Sequence, residues 1–193
     1  RGYRQGNQPF IFFRTVEVAG NPIDVEVDLL AGEYQGTGAS HRTQRIQDIR
    51  ARKARGCDLA FDGPSTIHVA GTLPGGGKDS VEVRVAAIVP FLTMKAIAMN
   101  TRLKEKDAWD IDFCLSHFPG GIAALAEAFQ PHRRHGLIQE GLRILAAKYE
   151  SVDHIGPHQV ADFDEISDPE ERAIRQRAAF ERVQALLRAV GNS

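Results

Sequence analysis

The chain has 193 residues, a net charge of −1, and 25% charged and 42% hydrophobic residues, ordinary values for a globular protein with one core and room for a helical appendage. That balance excludes a global field drawing the chain to nucleic acid or anionic lipid, so any such binding needs a local patch. No apolar run approaches the ~20 residues of a membrane span, and RGYRQGNQPF lacks the apolar core of a signal peptide, so a cytoplasmic protein without a membrane partner is expected.

Along the chain, FIFFRTVEVAG and IDVEVDLL are strand-like runs on either side of Gly20, Asn21 and Pro22, and they predict a β-hairpin. In the second run Asp24, Glu26 and Asp28 alternate with Ile23, Val25, Val27 and Leu29, the pattern of a half-buried strand with an acidic outer face. GEYQGTGAS reads as a Gly-rich loop, and HRTQRIQDIRARKARG as a helix stopped by a glycine. CDLAF, STIHVAGTL and SVEVRVAAI read as three further strands, the last two joined by a hairpin tip in PGGGKD. From Pro90 the pattern turns helical. PFLTMKAIAMNTRL places Phe91, Met94, Ile97 and Ala98 on one apolar face, and EKDAWDIDFCLSHF, GGIAALAEAF and GLIQEGLRILAAKYE continue the series. A last helix begins after Asp168 as N-cap and Pro169 in the first turn, and Gly191 closes it. The expected class is α+β.

Two charged features bear on function. Three carboxylates in a row on one strand face repel one another. Magnesium or manganese would relieve that repulsion, and so would cations on neighbouring strands. In KAIAMNTRLKEKDAWDID, Lys95 and Arg102 share a helical face, and so do Asp107 and Asp110, with Lys106 beside them. Cations held by paired acids make a grip for polyphosphate; a solvated helix hairpin laced with surface ion pairs is the other reading.

Lys95, six residues, Arg102, three residues, Lys106-Asp107, two residues and Asp110 together resemble the Lys…Arg…(Lys/Arg)-Asp-x-x-Asp signature of AbiEii-type nucleotidyltransferases, the toxin family of abortive-infection systems. A strand running through VRVAAIVPFLTMK leads into the motif as in that family, and VEVDLL, ending near Asp28, resembles its upstream strand with a lone acid. The resemblance implies a nucleotidyltransferase-like mixed sheet followed by a helical C-terminal domain. It divides the chain into a β-rich part at 1–89, N-terminally incomplete, and a helical domain at 90–193 that carries the motif. It implies transfer of a nucleoside monophosphate from an NTP to a hydroxyl of RNA (tRNA included) or protein, with Mg or Mn as cofactor and a cognate antitoxin as possible partner. By position, Asp28 resembles a metal carboxylate. Lys95, Asp107 and Asp110 resemble the family's catalytic positions, and Arg102 and Lys106 its substrate-binding ones. Asp24 and Glu26 match nothing in the pattern.

The superfamily's opening motif, Gly-Gly or Gly-Ser before two acids one residue apart, has no match ahead of Asp28, and the first residue is Arg1 rather than Met. The expectation is a fragment whose opening motif lies upstream or has been lost, with the chain as given weak or inactive. The alternative is a non-catalytic protein that binds nucleotide or antitoxin.

Other candidates read more plainly. HRRH (His132–His135) and HIGPH (His154–His158) lack a second ligand pair and read as loop or cap histidines. GGGK lacks the spacer and the Ser/Thr of a phosphate loop. Cys57 and Cys114, far apart in sequence, read as structural thiols of a reducing compartment. The stretch Arg42–Arg55, with Arg42, Arg45, Arg50, Arg52, Lys53 and Arg55, is the best local basic patch for an RNA backbone, or a solvated face.

Overall fold

The computed structural model describes residues 2–33, 43–73 and 75–191. It divides into two compact units, Arg1–Ala87 and Ile88–Ser193. The described strands all fall in the first and the described α-helices in the second, so the fold class is α+β.

In the first unit β1 (Arg4–Gln5), β2 (Ile11–Val18) and β3 (Asn21–Asp28) form an antiparallel sheet in that order. The β2–β3 turn is Ala19-Gly20, both with positive φ (51° and 79°), the backbone of a type I′ hairpin. Asn21 and Pro22, expected in the turn, instead begin β3, opposite Val18 and Glu17. The proline is tolerated because this end of β3 is a sheet edge. β4 (Leu30–Ala31) lies parallel to β6 (Ile49–Lys53), which pairs antiparallel with β5 (Thr43–Ile46). Leu29 joins the two sheets: its amide donates to the Phe10 carbonyl and its carbonyl accepts from the Arg52 amide, both at 2.8 Å. The core of this unit gathers at that junction, around Phe10, Ala31, Ala51, Cys57 and Leu59.

Three further expectations for this unit are corrected. Residues 43–53 form a hairpin, not a helix; His41, Arg42 and most of the Gly-rich loop lie outside the described residues. Ile46 and Ile49, three apart, fit a helical period, but they flank a two-residue turn in which Gln47 has φ 53°. Pairing of β6 with β4, far upstream in the chain, is non-local and overrides that local pattern. CDLAF is a 3-10 helix (Cys57–Phe61), not a strand. The apolar side of β3 is less buried than alternation implies: Ile23 is 47% exposed and Val25 is exposed too, because only the end of the hairpin nearest Leu29 reaches the core. β7 (Ser65–Thr72) and β8 (Lys78–Val85) form the expected second hairpin.

The second unit holds α1 (Ile88–Thr101), α2 (Glu105–His117), α3 (Gly121–Phe129), α4 (Gly136–Lys148), α5 (Ile155–Phe163) and α6 (Pro169–Gly191). Packing against α2, α3 and α4, α1 buries Leu92, Ala96, Ile97 and Met99, whereas Phe91, Met94 and Ala98 of the expected stripe are only half-buried. A helix apolar around most of its circumference belongs inside a bundle. HIGPH, read as loop or cap histidines, places His154 at the N-cap of α5 and runs on into that helix. Pro157 falls in the first turn, where its missing N–H has no intrahelical partner to lose. Gly156 lies under the buried Tyr149 ring, where a Cβ would come within 2.5 Å of Cε2. The Asp168 carboxylate accepts from the amides of Glu170 and Glu171 at 3.0 and 2.9 Å, an N-cap as the sequence indicates. Cys57 and Cys114 are free thiols. Burial pushes both above the ordinary value, with Asp58 and Asp110 adding to it.

Candidate active site

Lys95 projects from α1, a turn and a half before its end, and Arg102 follows immediately on Thr101 with its amide bonded to the Ala98 carbonyl at 2.9 Å. Leu103 and Lys104 complete a short connection, and α2 starts at Glu105, so Asp107 and Asp110 fall in its first two turns. This tight reversal brings together the five charged residues of the motif. Lys95 Nζ lies 3.0 Å from Asp107 Oδ1 and 2.6 Å from Asp110 Oδ2. Arg102 approaches Asp107 with two nitrogens, Nε to Oδ2 at 2.8 Å and Nη2 to Oδ1 at 2.9 Å. Lys106 reaches Asp110 Oδ1 at 2.6 Å, one turn along α2.

The result is an alternating chain, Arg102–Asp107–Lys95–Asp110–Lys106, with three cations and two carboxylates. It is not a set of surface pairs. The Asp107 side chain is 2% exposed and that of Lys95 20%, while Lys106 at the end of the chain is 59% exposed. Burial alone would raise the Asp107 carboxyl, but hydrogen bonds from Arg102 and Lys95 outweigh it and hold the pKa below the ordinary aspartate value. Burial likewise pulls the Lys95 ammonium down, and hydrogen bonds to Asp110 and Asp107 more than reverse it. Both inner groups are fixed in their charged forms, and the arrangement carries one excess positive charge.

Beside this chain lies a second network that sequence reasoning passed over. Asp112 is 2% exposed at its side chain and takes Arg175 Nη1 at 2.6 Å and Arg182 Nη1 at 2.8 Å, both from α6. Arg175 Nε also meets Asp164 at 2.6 Å, and Asp164 accepts from Trp109 Nε1 at 2.8 Å. Asp112 therefore fixes α2, and the acids at its start, against α6. The available signal was two arginines seven residues apart on one helix, on one face after two turns.

Asp28 belongs to the sheet unit and has its own surroundings there. Its Oδ2 lies 3.2 Å from an Arg52 nitrogen, and its Oδ1 is buried with no hydrogen-bond partner among the described residues. The acidic row of β3 is divided rather than shared: Asp24 takes the Arg4 guanidinium and the Thr15 hydroxyl. Among the described residues no group of three His, Cys, Asp or Glu is placed to hold a metal ion, so Asp28 offers one donor, not a complete divalent-metal site.

A family model described as nucleotidyl transferase AbiEii toxin, type IV TA system, matches residues 14–190. The chain belongs to the AbiEii nucleotidyltransferase toxin family. The match runs through both Asp28 and the Lys95–Asp110 motif. Membership points to a nucleotide substrate and an antitoxin partner, and nucleotidyltransferases as a class generally employ divalent metals. Searches of curated proteins and of solved structures each return no match. Among the described residues, no helix of this AbiEii-family chain is long and apolar enough to cross a membrane.

Proposed function

We propose that the chain is the nucleotide-handling part of a cytoplasmic toxin that transfers a nucleoside monophosphate from an NTP to a hydroxyl of RNA or protein. The observation that carries the reading is the alternating ion chain, with its excess positive charge, on the residues that resemble the family's motif. In such a transfer the acceptor oxygen bonds to the α-phosphorus. The bond from that phosphorus to the bridging oxygen breaks, the hydroxyl proton passes to solvent, and pyrophosphate leaves. Charge builds on the departing phosphates, and fixed cations offset it without reorganising.

Lys95, Arg102 and Lys106 are the residues assigned to the triphosphate. Lys106 is the most exposed of the three and the most easily drawn from its carboxylate to an incoming phosphate. Asp107 and Asp110 are positioning residues: they hold Lys95 charged and keep Lys95 and Arg102 aimed. Asp28 is assigned as a ligand of Mg or Mn, supported by its buried oxygen that has no hydrogen-bond partner among the described residues. A bound divalent ion would supply Lewis-acid stabilisation of phosphoryl charge. A single donor does not define where that ion would sit.

The test is calorimetric titration of NTP into the wild type and Lys95→Ala, followed by incorporation of labelled NMP into total RNA and protein. The expected outcome is NTP binding that Lys95→Ala abolishes while helicity is retained, together with weak incorporation by the wild type. Binding without incorporation would replace transfer with nucleotide binding alone. Equal NTP binding by both proteins would remove the assignment.

A further inference from the structure

The hairpin at residues 43–53 has a face that the transfer chemistry does not use. Register places Thr43 opposite Arg52 and Arg45 opposite Arg50. Since alternate residues of a strand point the same way, Arg45, Arg50 and Arg52 share one face of this ribbon. Gln44, Ile46, Ile49, Ala51 and Lys53 take the other. Residues 43–55 carry five cations and one carboxylate in a chain whose net charge is −1, so the positive charge is concentrated here.

Like charges directly opposite on paired strands destabilise the pair. Arg45 is partly compensated at the tip, by Asp48 at 3.3 Å and by the Gln47 carbonyl at 3.0 Å. Arg50 is exposed and has no ion pair among the described residues. Arg52, at the inner end of the face, is the residue paired with Asp28. Arg50 and Arg52 are two residues apart on one strand, about 7 Å, close to the separation of successive phosphates in a nucleic-acid strand. Guanidinium forks take phosphate oxygens in pairs, and a two-stranded ribbon can follow a backbone that a single point charge cannot.

We propose that the arginine face of the β5–β6 hairpin is a docking surface for the phosphodiester backbone of an RNA acceptor, which it leads toward Asp28. The proposal rests on the nucleotidyltransferase reading and selects RNA over protein as the acceptor. A phosphate that takes Arg52 also releases the Asp28 carboxylate from its present partner.

Fluorescence anisotropy of the full chain with an end-labelled single-stranded RNA, without NTP or metal and across a salt series, tests it. The wild type should bind with a steep salt slope. Arg45→Gln/Arg50→Gln should bind roughly tenfold more weakly, with a slope shallower by about 1.4, the share of two phosphate contacts on a single strand. Arg50→Gln alone, at an exposed position, should lower the slope by about 0.7 and guards against disturbance of the tip. Both variants should keep the NTP affinity of the wild type, whereas Lys95→Ala loses NTP affinity, so failure here is distinct from failure of the nucleotide site. An unchanged RNA slope in the variants overturns the proposal. So does poly-glutamate binding as tightly as RNA and lost in the same variants, which would assign the face to an acidic protein instead.

Discussion

Lys95 on α1 and Asp107 on α2 meet at 3.0 Å inside the helical unit, and each sets the charge state of the other. Asp107 in turn takes both Nε and Nη2 of Arg102, so one buried carboxylate holds two cations in place. That relationship makes the site a preformed cationic surface rather than a pair of metal-binding acids.

Asp107→Asn keeps the shape of the side chain and removes its charge. Breaking a buried pair from one side costs about 3–5 kcal/mol when a charge is left without compensation, and Asp110 still serves Lys95 here, so the lower end of that range is expected. The expected result is a lower Tm by calorimetry and an NTP affinity reduced at least tenfold at temperatures where the variant is folded.

Asp112→Asn separates fold from site. Asp112 is as buried as Asp107 and holds Arg175 and Arg182, so a loss of about 3 kcal/mol is expected here too. Its bonds run to α6 and not to Lys95 or Arg102. A drop in Tm with NTP affinity within twofold of wild type is therefore the expected outcome of parallel melting and titration. An affinity loss equal to that of Asp107→Asn would mean that the two networks act as one.

The two shifted groups give the pH dependence. The Asp107 pKa is depressed below 3.8, so its contribution is present above that value and lost as pH falls through the lower folded pKa. The Lys95 pKa is raised above 10.5, so its contribution is complete below that value and lost as pH rises through the higher folded pKa. Between 3.8 and 10.5 the pair therefore contributes a flat stability. Lys95→Met removes one of the bonds that depress Asp107, and its acid-unfolding midpoint should move to higher pH in a circular-dichroism titration.

Gly156→Ala tests the entry to α5. Its Cβ would stand 2.5 Å from Tyr149 Cε2 and 2.7 Å from the Lys148 carbonyl oxygen. The Tyr149 ring is fully buried and cannot swing aside. Overpacking of this kind costs about 1–3 kcal/mol, read as a lower Tm with the far-ultraviolet spectrum unchanged.

Asp28 and Asp24 separate the metal assignment from surface charge. Manganese dependence of NMP incorporation should weaken in Asp28→Asn and stay as in wild type for Asp24→Asn, whose carboxylate is committed to Arg4 and Thr15. Equal effects would return Asp28 to an ordinary ion pair with Arg52.

By itself the sequence determined the class, the helices from α1 to α4 and α6, both long hairpins and the Asp168 cap, because each is written in local spacing, and it carried the five charged residues through their resemblance to the family's motif. A period of 3.6 or 2, a capping carboxylate or a motif of fixed intervals needs no distant partner to be visible. Tertiary structure alone decided that residues 43–53 pair as strands, since the partner strand β4 ends at Ala31, well upstream in the chain. It alone buried Asp107 and Asp112, because spacing says which residues share a face and not what covers it. It also divided the acidic row of β3, giving Asp24 to Arg4 and Asp28 to Arg52, since the cations that answer a row of carboxylates come from strands that only the fold brings alongside.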